Sequence, residues 1–190
     1  MSSILKVDQL QDSGGNEIIT SNGSGTITVN NQTFKNGITM ADQWRLTADT
    51  NNGVEGDVTS NWERNDNSSY SSIGTGLTES SGVFSFPTTG IYYINATGNI
   101  ASAASDGSIV YQLVTTINNS TYPTAIDLRT GNPSASTTIC SASGSYLFDV
   151  TDISLCKFKF FTSSFNSGTT LRGSTSQNRT HFTVIRLGDT

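Results

Sequence analysis

The chain has 190 residues, a formal net charge of −5 and only 13% charged residues, about half the ~25% of an ordinary globular protein. That length holds one β-sandwich of about 130–150 residues plus an appendage, and buries enough surface to need no disulfide or metal staple. The Lys and Arg residues are scattered singly, so the basic footprint needed to neutralise phosphates is missing and a nucleic-acid partner is excluded.

The first residues, Met1-Ser2-Ser3-Ile4-Leu5-Lys6-Val7, carry no long apolar core of a secretory leader, and no run approaches a membrane span. Synthesis in a cytoplasm, without membrane insertion, is expected. Residues 4–10 alternate weakly and break at Asp12-Ser13-Gly14-Gly15-Asn16. Glu17-Ile18-Ile19-Thr20 stops at a second polar turn, and Thr26-Ile27-Thr28-Val29 follows. These read as strands of about four residues, too short to build a core alone. Residues 1–35 are therefore an arm that must lie against something else, and residues 36–190 form the domain.

Ala41-Asp42-Gln43-Trp44-Arg45-Leu46 contains the domain's opening strand, and a second strand is predicted over residues 58–64 with Trp62 as a core anchor. At Phe84-Ser85-Phe86-Pro87-Thr88-Thr89-Gly90, Pro87 cannot donate to a ladder and Gly90 permits a sharp reversal. One strand ends there and a longer one begins, through Ile91-Tyr92-Tyr93-Ile94. Residues 108–117 form a further strand. Residues 137–150 and 153–162 read as a hairpin turning at Asp149-Val150-Thr151-Asp152. In its second arm Cys156, Phe158 and Phe160 share one parity while Leu155, Lys157 and Lys159 share the other, the alternation of a half-buried strand. That hairpin would hold Cys140 and Cys156 out of register, leaving two small buried hydrophobes rather than a bridge. Residues 180–187, with Phe182 and Ile185, close the domain. Eight or more strands with polar turns and no capped helical period mean an all-β, antiparallel sandwich or jelly roll.

Gly82-Val83-Phe84 followed by Phe86-Pro87, Gly90 and Tyr92-Tyr93-Ile94 resembles the central signature of the tumour necrosis factor and complement globular-head superfamily. The stretch with Leu147, Asp152, Leu155 and Phe158 resembles its penultimate pair of strands, and residues 181–187 its last one. Residues 41–46, 60–64 and 73–82 are similar to virion proteins of marine bacteriophages, including those of cyanobacteria. The opening Leu5-Lys6-Val7-Asp8-Gln9-Leu10-Gln11 is similar to the starts of their tail-fibre and other appendage proteins. The resemblance implies a jelly-roll homotrimer on a particle, assembled in the host cytoplasm. Ile4, Leu5, Val7, Leu10, Ile18 and Ile19 would anchor its arm to a capsid or tail protein. Trp44, Trp62, Phe84, Phe86, Pro87, Gly90, Tyr92, Tyr93, Phe158, Phe160, Phe182 and Ile185 carry the fold signature and expected core.

Catalytic chemistry finds little support. The one histidine is His181, and no serine lies in a Gly-x-Ser-x-Gly elbow. Asp49, Glu55, Asp57, Glu63 and Asp66 are close in sequence. They read as a solvated loop, with a calcium site or a glycosidase acid pair as sharper alternatives, although no Asp-x-Asp-x-Asp-Gly loop occurs. Gly74-Thr75-Gly76 has no following Lys and reads as a turn, not a phosphate loop. No cofactor is expected. Tyr70, Tyr122 and Phe165 lie in polar, turn-rich contexts. Such aromatics suit contact with a glycan or protein of the host surface, or packing on their own domain. Three function classes stand: a tail- or head-fibre appendage contacting the host, a capsid decoration protein stabilising the head, and a glycan depolymerase.

Overall fold

A computed structural model describes residues 9–25, 27–29 and 37–190, and these form strands, turns and loops without a helix. Among the described residues, accordingly, no helix is long and apolar enough to cross a membrane. The chain divides into two compact units, Met1–Gly37 and Ile38–Thr190.

The first unit holds β1 (Gln9–Gln11), β2 (Glu17–Ser21) and β3 (Ile27–Val29), antiparallel in that order. The β1–β2 turn is closed by Asp12, whose Oδ1 accepts the backbone N–H groups of Gly14 (2.8 Å) and Asn16 (2.9 Å), an Asx turn of the kind that short polar side chains favour. These hydrogen bonds, that of the Asn16 side chain foremost, hold the Asp12 carboxyl below its ordinary range. Strands of three to five residues cover little: Leu10 is 50% exposed, Ile27 65%, and Ile18 and Ile19 are only half-buried. The anchor residues Ile4, Leu5 and Val7 lie outside the described residues.

The second unit is a two-sheet sandwich. Its strands are β4 (Ala41–Leu46), β5 (Gly56–Asp57), β6 (Trp62–Arg64), β7 (Thr78–Ser80), β8 (Val83–Ser85), β9 (Gly90–Ser102), β10 (Ile109–Thr116), β11 (Thr124–Thr130), β12 (Thr138–Val150), β13 (Lys157–Ser163), β14 (Thr170–Leu171) and β15 (His181–Gly188). One sheet, the β9 sheet, runs β12-β9-β15-β4-β6, with β14 also on β9. The other, the β13 sheet, runs β11-β10-β13-β8-β7, with β5 also on β13. Every one of these pairings is antiparallel.

The period of two fixes what lies between the sheets. Along β9, Tyr92, Ile94, Ala96, Gly98 and Ile100 are buried, and the residues between them stay half-exposed. Along β13, Phe158 and Phe160 point inward and Lys157 and Lys159 outward. Trp44, Phe84, Phe86 and Phe182 complete an aromatic core, with ring centroids 4.7 Å apart for Phe84–Phe182 and 5.1 Å for Phe84–Phe158. Trp62 packs on Phe84, Phe160 and Phe182 from a partly exposed position. Such aromatic pairs contribute about 0.5–1.5 kcal/mol each beyond their burial. Behind the corner at Pro87, Gly90 has φ +140°, and a Cβ there would stand 2.4 Å from the carbonyl oxygen of Gly188.

Four expectations are corrected. The 137–162 hairpin does not form: β12 pairs with β9 and β13 with β10. Residues 151–156 instead carry the chain from one sheet to the other, turning on hydrogen bonds from the Leu155 and Cys156 amides to the Asp152 carbonyl. Residues 58–64 are not one strand, because Asn61 takes φ +66° and separates β6 from the buried Val58. Tyr93 and Ile185 are not inward-facing core: Tyr92 takes the inward position on β9, Phe182 and Val184 take those on β15, and neighbours of opposite parity face out. Cys140 and Cys156 are free thiols, but only Cys156 is buried; Cys140 on β12 is half-buried, so the expectation of two buried cysteines holds for one.

Candidate functional site

Each carboxylate of the 49–66 stretch already has a structural partner. Asp49 accepts the Gly173 amide at 2.8 Å, and Glu55 accepts that of Ser164 at 2.7 Å. Asp57 pairs with Lys159 at 2.6 Å. Glu63 and Asp66 both bind Arg45, whose fully buried guanidinium is also held by Asn65, Asn67 and the Thr175 carbonyl. Among the described residues, no three His, Cys, Asp or Glu side chains gather to hold a metal ion, so these acids do not converge on a calcium site. His181 lies half-buried on β15, its Nδ1 3.1 Å from the Arg179 carbonyl oxygen.

A different acid organises the domain. Asp42 on β4 is 1% exposed and accepts from Arg64 Nε (2.9 Å), Trp44 Nε1 (2.9 Å), the Leu77 amide (2.8 Å) and Tyr70 Oη (3.0 Å). The Arg64 guanidinium lies 5.0 Å over the Trp44 ring. Gly76 has φ +75° and comes so close that a Cβ would stand 2.6 Å from the Asp42 carboxylate, so the Gly74-Thr75-Gly76 turn wraps this carboxylate. Such full satisfaction makes a buried charge tolerable, and the role is structural.

Two of the three surface aromatics are thereby reassigned. Tyr70 directs its hydroxyl at Asp42, and burial, foremost, raises its phenol above the ordinary pKa. Phe165 is 6% exposed and belongs to the core. Tyr122 stays at the surface, beside the outer face of the β13 sheet, with the Lys159 ammonium 4.4 Å over its ring.

The two outer faces differ. On the β9 sheet, Leu147 lies opposite Tyr93, Tyr93 opposite Ile185, Ile185 opposite Ala41, and Ala41 bridges to Ile73. This forms one apolar row across the sheet. Leu147 is 58% exposed and Ile73 45%. One flank is neutral and polar, as in the Gln43–Thr183 side-chain hydrogen bond of 2.9 Å, and on the other the exposed Asp149 lies opposite Ile91. On the β13 sheet the outer face carries Lys157, Lys159 and Asp57, with the hydroxyls of Thr78 and Ser85 in register with Lys157. Sequence reasoning missed both faces as units. From the sequence, Tyr93 and Ile185 are expected in the core, and only strand order brings residues 41, 73, 93, 147 and 185 together.

No protein-family model and no curated protein matches the sequence. Solved structures do resemble it. Eiger TNF from S. frugiperda superposes with a TM-score of 0.62 at 12% identity, covering 81% of this chain and 96% of that one. Murine APRIL gives 0.58 at 14% identity, over 78% and 98%. The globular domain of zebrafish complement 1qA protein gives 0.52 at 12%, over 80% and 99%. At these identities the likeness concerns the fold, an antiparallel jelly roll of the tumour necrosis factor and complement globular-head type.

Proposed function

We propose that this chain is a non-enzymatic structural protein of a bacteriophage particle, a homotrimeric tail- or head-fibre appendage displaying its jelly roll toward the host surface. The observation that carries the reading is the apolar row Leu147–Tyr93–Ile185–Ala41–Ile73. A sheet face with large apolar side chains left uncovered, bordered on one side by neutral amides and hydroxyls, is suited to close packing against another copy of itself. A ring of three copies buries three such rows about one axis. The arm complements this: its short strands leave Leu10 and Ile27 exposed, and apolar surface of that kind is buried on assembly with a capsid or tail protein. Trimeric linkage then multiplies weak contacts to the cell surface.

A second reading, a decoration protein that clamps the capsid, is favoured by one feature. The described part of the arm is a small meander, not an elongated shaft that would carry a domain away from the particle.

The test uses particles. Removing residues 1–35 abolishes incorporation under both readings, and normal incorporation of the truncated chain would contradict them. Particles lacking the whole protein keep stable heads and adsorb poorly if it is an appendage. Fragile heads with normal adsorption would instead establish the decoration role.

A further inference from the structure

We propose that a hollow on the outer face of the β13 sheet binds one neutral saccharide unit, which names the ligand class for the host contact proposed above and rests on that reading for its biological use. The hollow has a volume of about 380 Å³ and is lined by Thr78, Glu79, Ser80, Val83, Ser85, Asn119, Tyr122 and Lys157. That is the lower end of the roughly 300–1,000 Å³ range of small-ligand sites, room for a single ring. Thr78, Ser85 and Lys157 come from three adjacent strands in register.

The loop that supplies Asn119 and Tyr122 is held in advance. Asn118 Oδ1 accepts the amides of Ser120 and Thr121, each at 3.0 Å, and the Asn119 amide donates to the Leu155 carbonyl at 3.1 Å. The Tyr122 ring is fixed from one side by Lys159, itself tied to Asp57. Preorganised groups lose little freedom when a ligand arrives.

The lining selects the ligand by chemistry. The hydroxyls of Ser80 and Ser85, the side-chain carboxamide of Asn119, the Tyr122 hydroxyl and the Lys157 ammonium make no side-chain hydrogen bond or ion pair among the described residues. Glu79 accepts the Gly82 amide at 2.6 Å, and one carboxylate oxygen remains. Donors and acceptors are thus mixed, while the single cation and the single anion cancel. An anionic ligand would meet Glu79, a cationic one Lys157, and an apolar one would find only Val83 and one ring. A neutral polyhydroxylated ring matches the set: hydroxyls for the amide, ammonium and carboxylate, and an apolar C–H face for Tyr122.

The experiment titrates the full-length protein with neutral glucose-, galactose-, mannose- and N-acetylglucosamine-containing oligosaccharides, and with uronic-acid-containing ones, using saturation-transfer NMR and calorimetry. At least one neutral saccharide binds. Tyr122→Ala weakens it about tenfold, Ser80→Trp at an exposed position fills the hollow and abolishes it, and Ser143→Ala on the opposite sheet leaves it unchanged. Both hollow variants keep the wild-type melting temperature within a few degrees. No binding by any neutral saccharide, binding by the uronic-acid set alone, or full affinity in Ser80→Trp would overturn the proposal. Sedimentation of the same samples separates the two readings: a trimer that ignores sugars refutes only the hollow, and a sugar-binding monomer refutes only the trimer.

Discussion

The outer face of the β9 sheet presents Leu147, Tyr93, Ile185 and Ile73 in one cross-strand row, whereas the outer face of the β13 sheet presents Lys157, Lys159, Asp57 and a group of hydroxyls. The inner faces of both are packed with large apolar side chains, so folding of the single domain treats the sheets alike. What differs is what each leaves outside. An ion pair and hydroxyls are content in water, but half-exposed Leu and Ile across adjacent strands gain free energy only when covered, at about 25 cal/mol per Å² of apolar area. Under the proposed function the β9 face makes the contact between copies and the β13 face meets solvent and small polar ligands.

Four substitutions break or sharpen this contrast without altering the β9 row. The largest effect belongs to the β9 sheet's internal polar hub. Asp42→Ala strands the Leu77 amide, Trp44 Nε1 and Arg64, and urea unfolding should show a loss of about 3 kcal/mol, moderated because Arg64 can reach water. Next is the seam between the sheets. A Cβ on Gly98 of β9 would lie 2.7 Å from the Tyr111 ring of β10, so Gly98→Ala should cost about 2 kcal/mol in the same assay.

A smaller effect, of opposite sign, lies inside the β13 sheet. The Tyr111 hydroxyl is fully buried without a hydrogen-bond partner, and Tyr111→Phe should stabilise by about 1 kcal/mol. Burial also holds this phenol well above its ordinary pKa of 10. Above pH 10 the unfolded chain releases the proton while the folded one keeps it. The contribution is therefore intact below pH 10 and declines as pH rises beyond it. The stability advantage of Tyr111→Phe should widen above pH 10 in thermal melts. The smallest effect is on the polar outer face. Lys159→Ala removes a part-buried ion pair and a cation–ring contact, and should cost no more than about 1 kcal/mol, with assembly unchanged.

Much of the fold was legible because parity is local. The alternation around Phe158 and Phe160, and the Phe86-Pro87 to Gly90 corner, follow from covalent geometry and a period of two; the strand after the corner begins at Gly90, while β13 begins at Lys157, later than the expected residue 153. The register of partners is not local. The polar turn at residues 149–152 looks the same whether the chain reverses into a hairpin or crosses to the facing sheet, and only burial of both inner faces decides. β11 went unread because its alternation is short, with Leu128 alone fully inside and Asp127 and Arg129 out in the solvent. Of the candidate site, Tyr122 was legible as a surface aromatic, but its resemblance in context to Tyr70 and Phe165 concealed that those two face inward to Asp42 and the core. Lys157 and Asn119 were invisible as partners because a loop and a strand far apart in sequence bring them together.

Sedimentation equilibrium of the full-length chain and of Leu147→Asp, over a range of micromolar concentrations, addresses the assembly directly. Leu147 is 58% exposed within one copy, so the substitution spares the fold and places a charge at the exposed β12 end of the row. The account predicts a wild-type species of three times the 20.2 kDa chain mass and a folded single-chain species for the variant. A wild-type chain that remains a monomer throughout, or a variant that sediments as the wild type does, would contradict it.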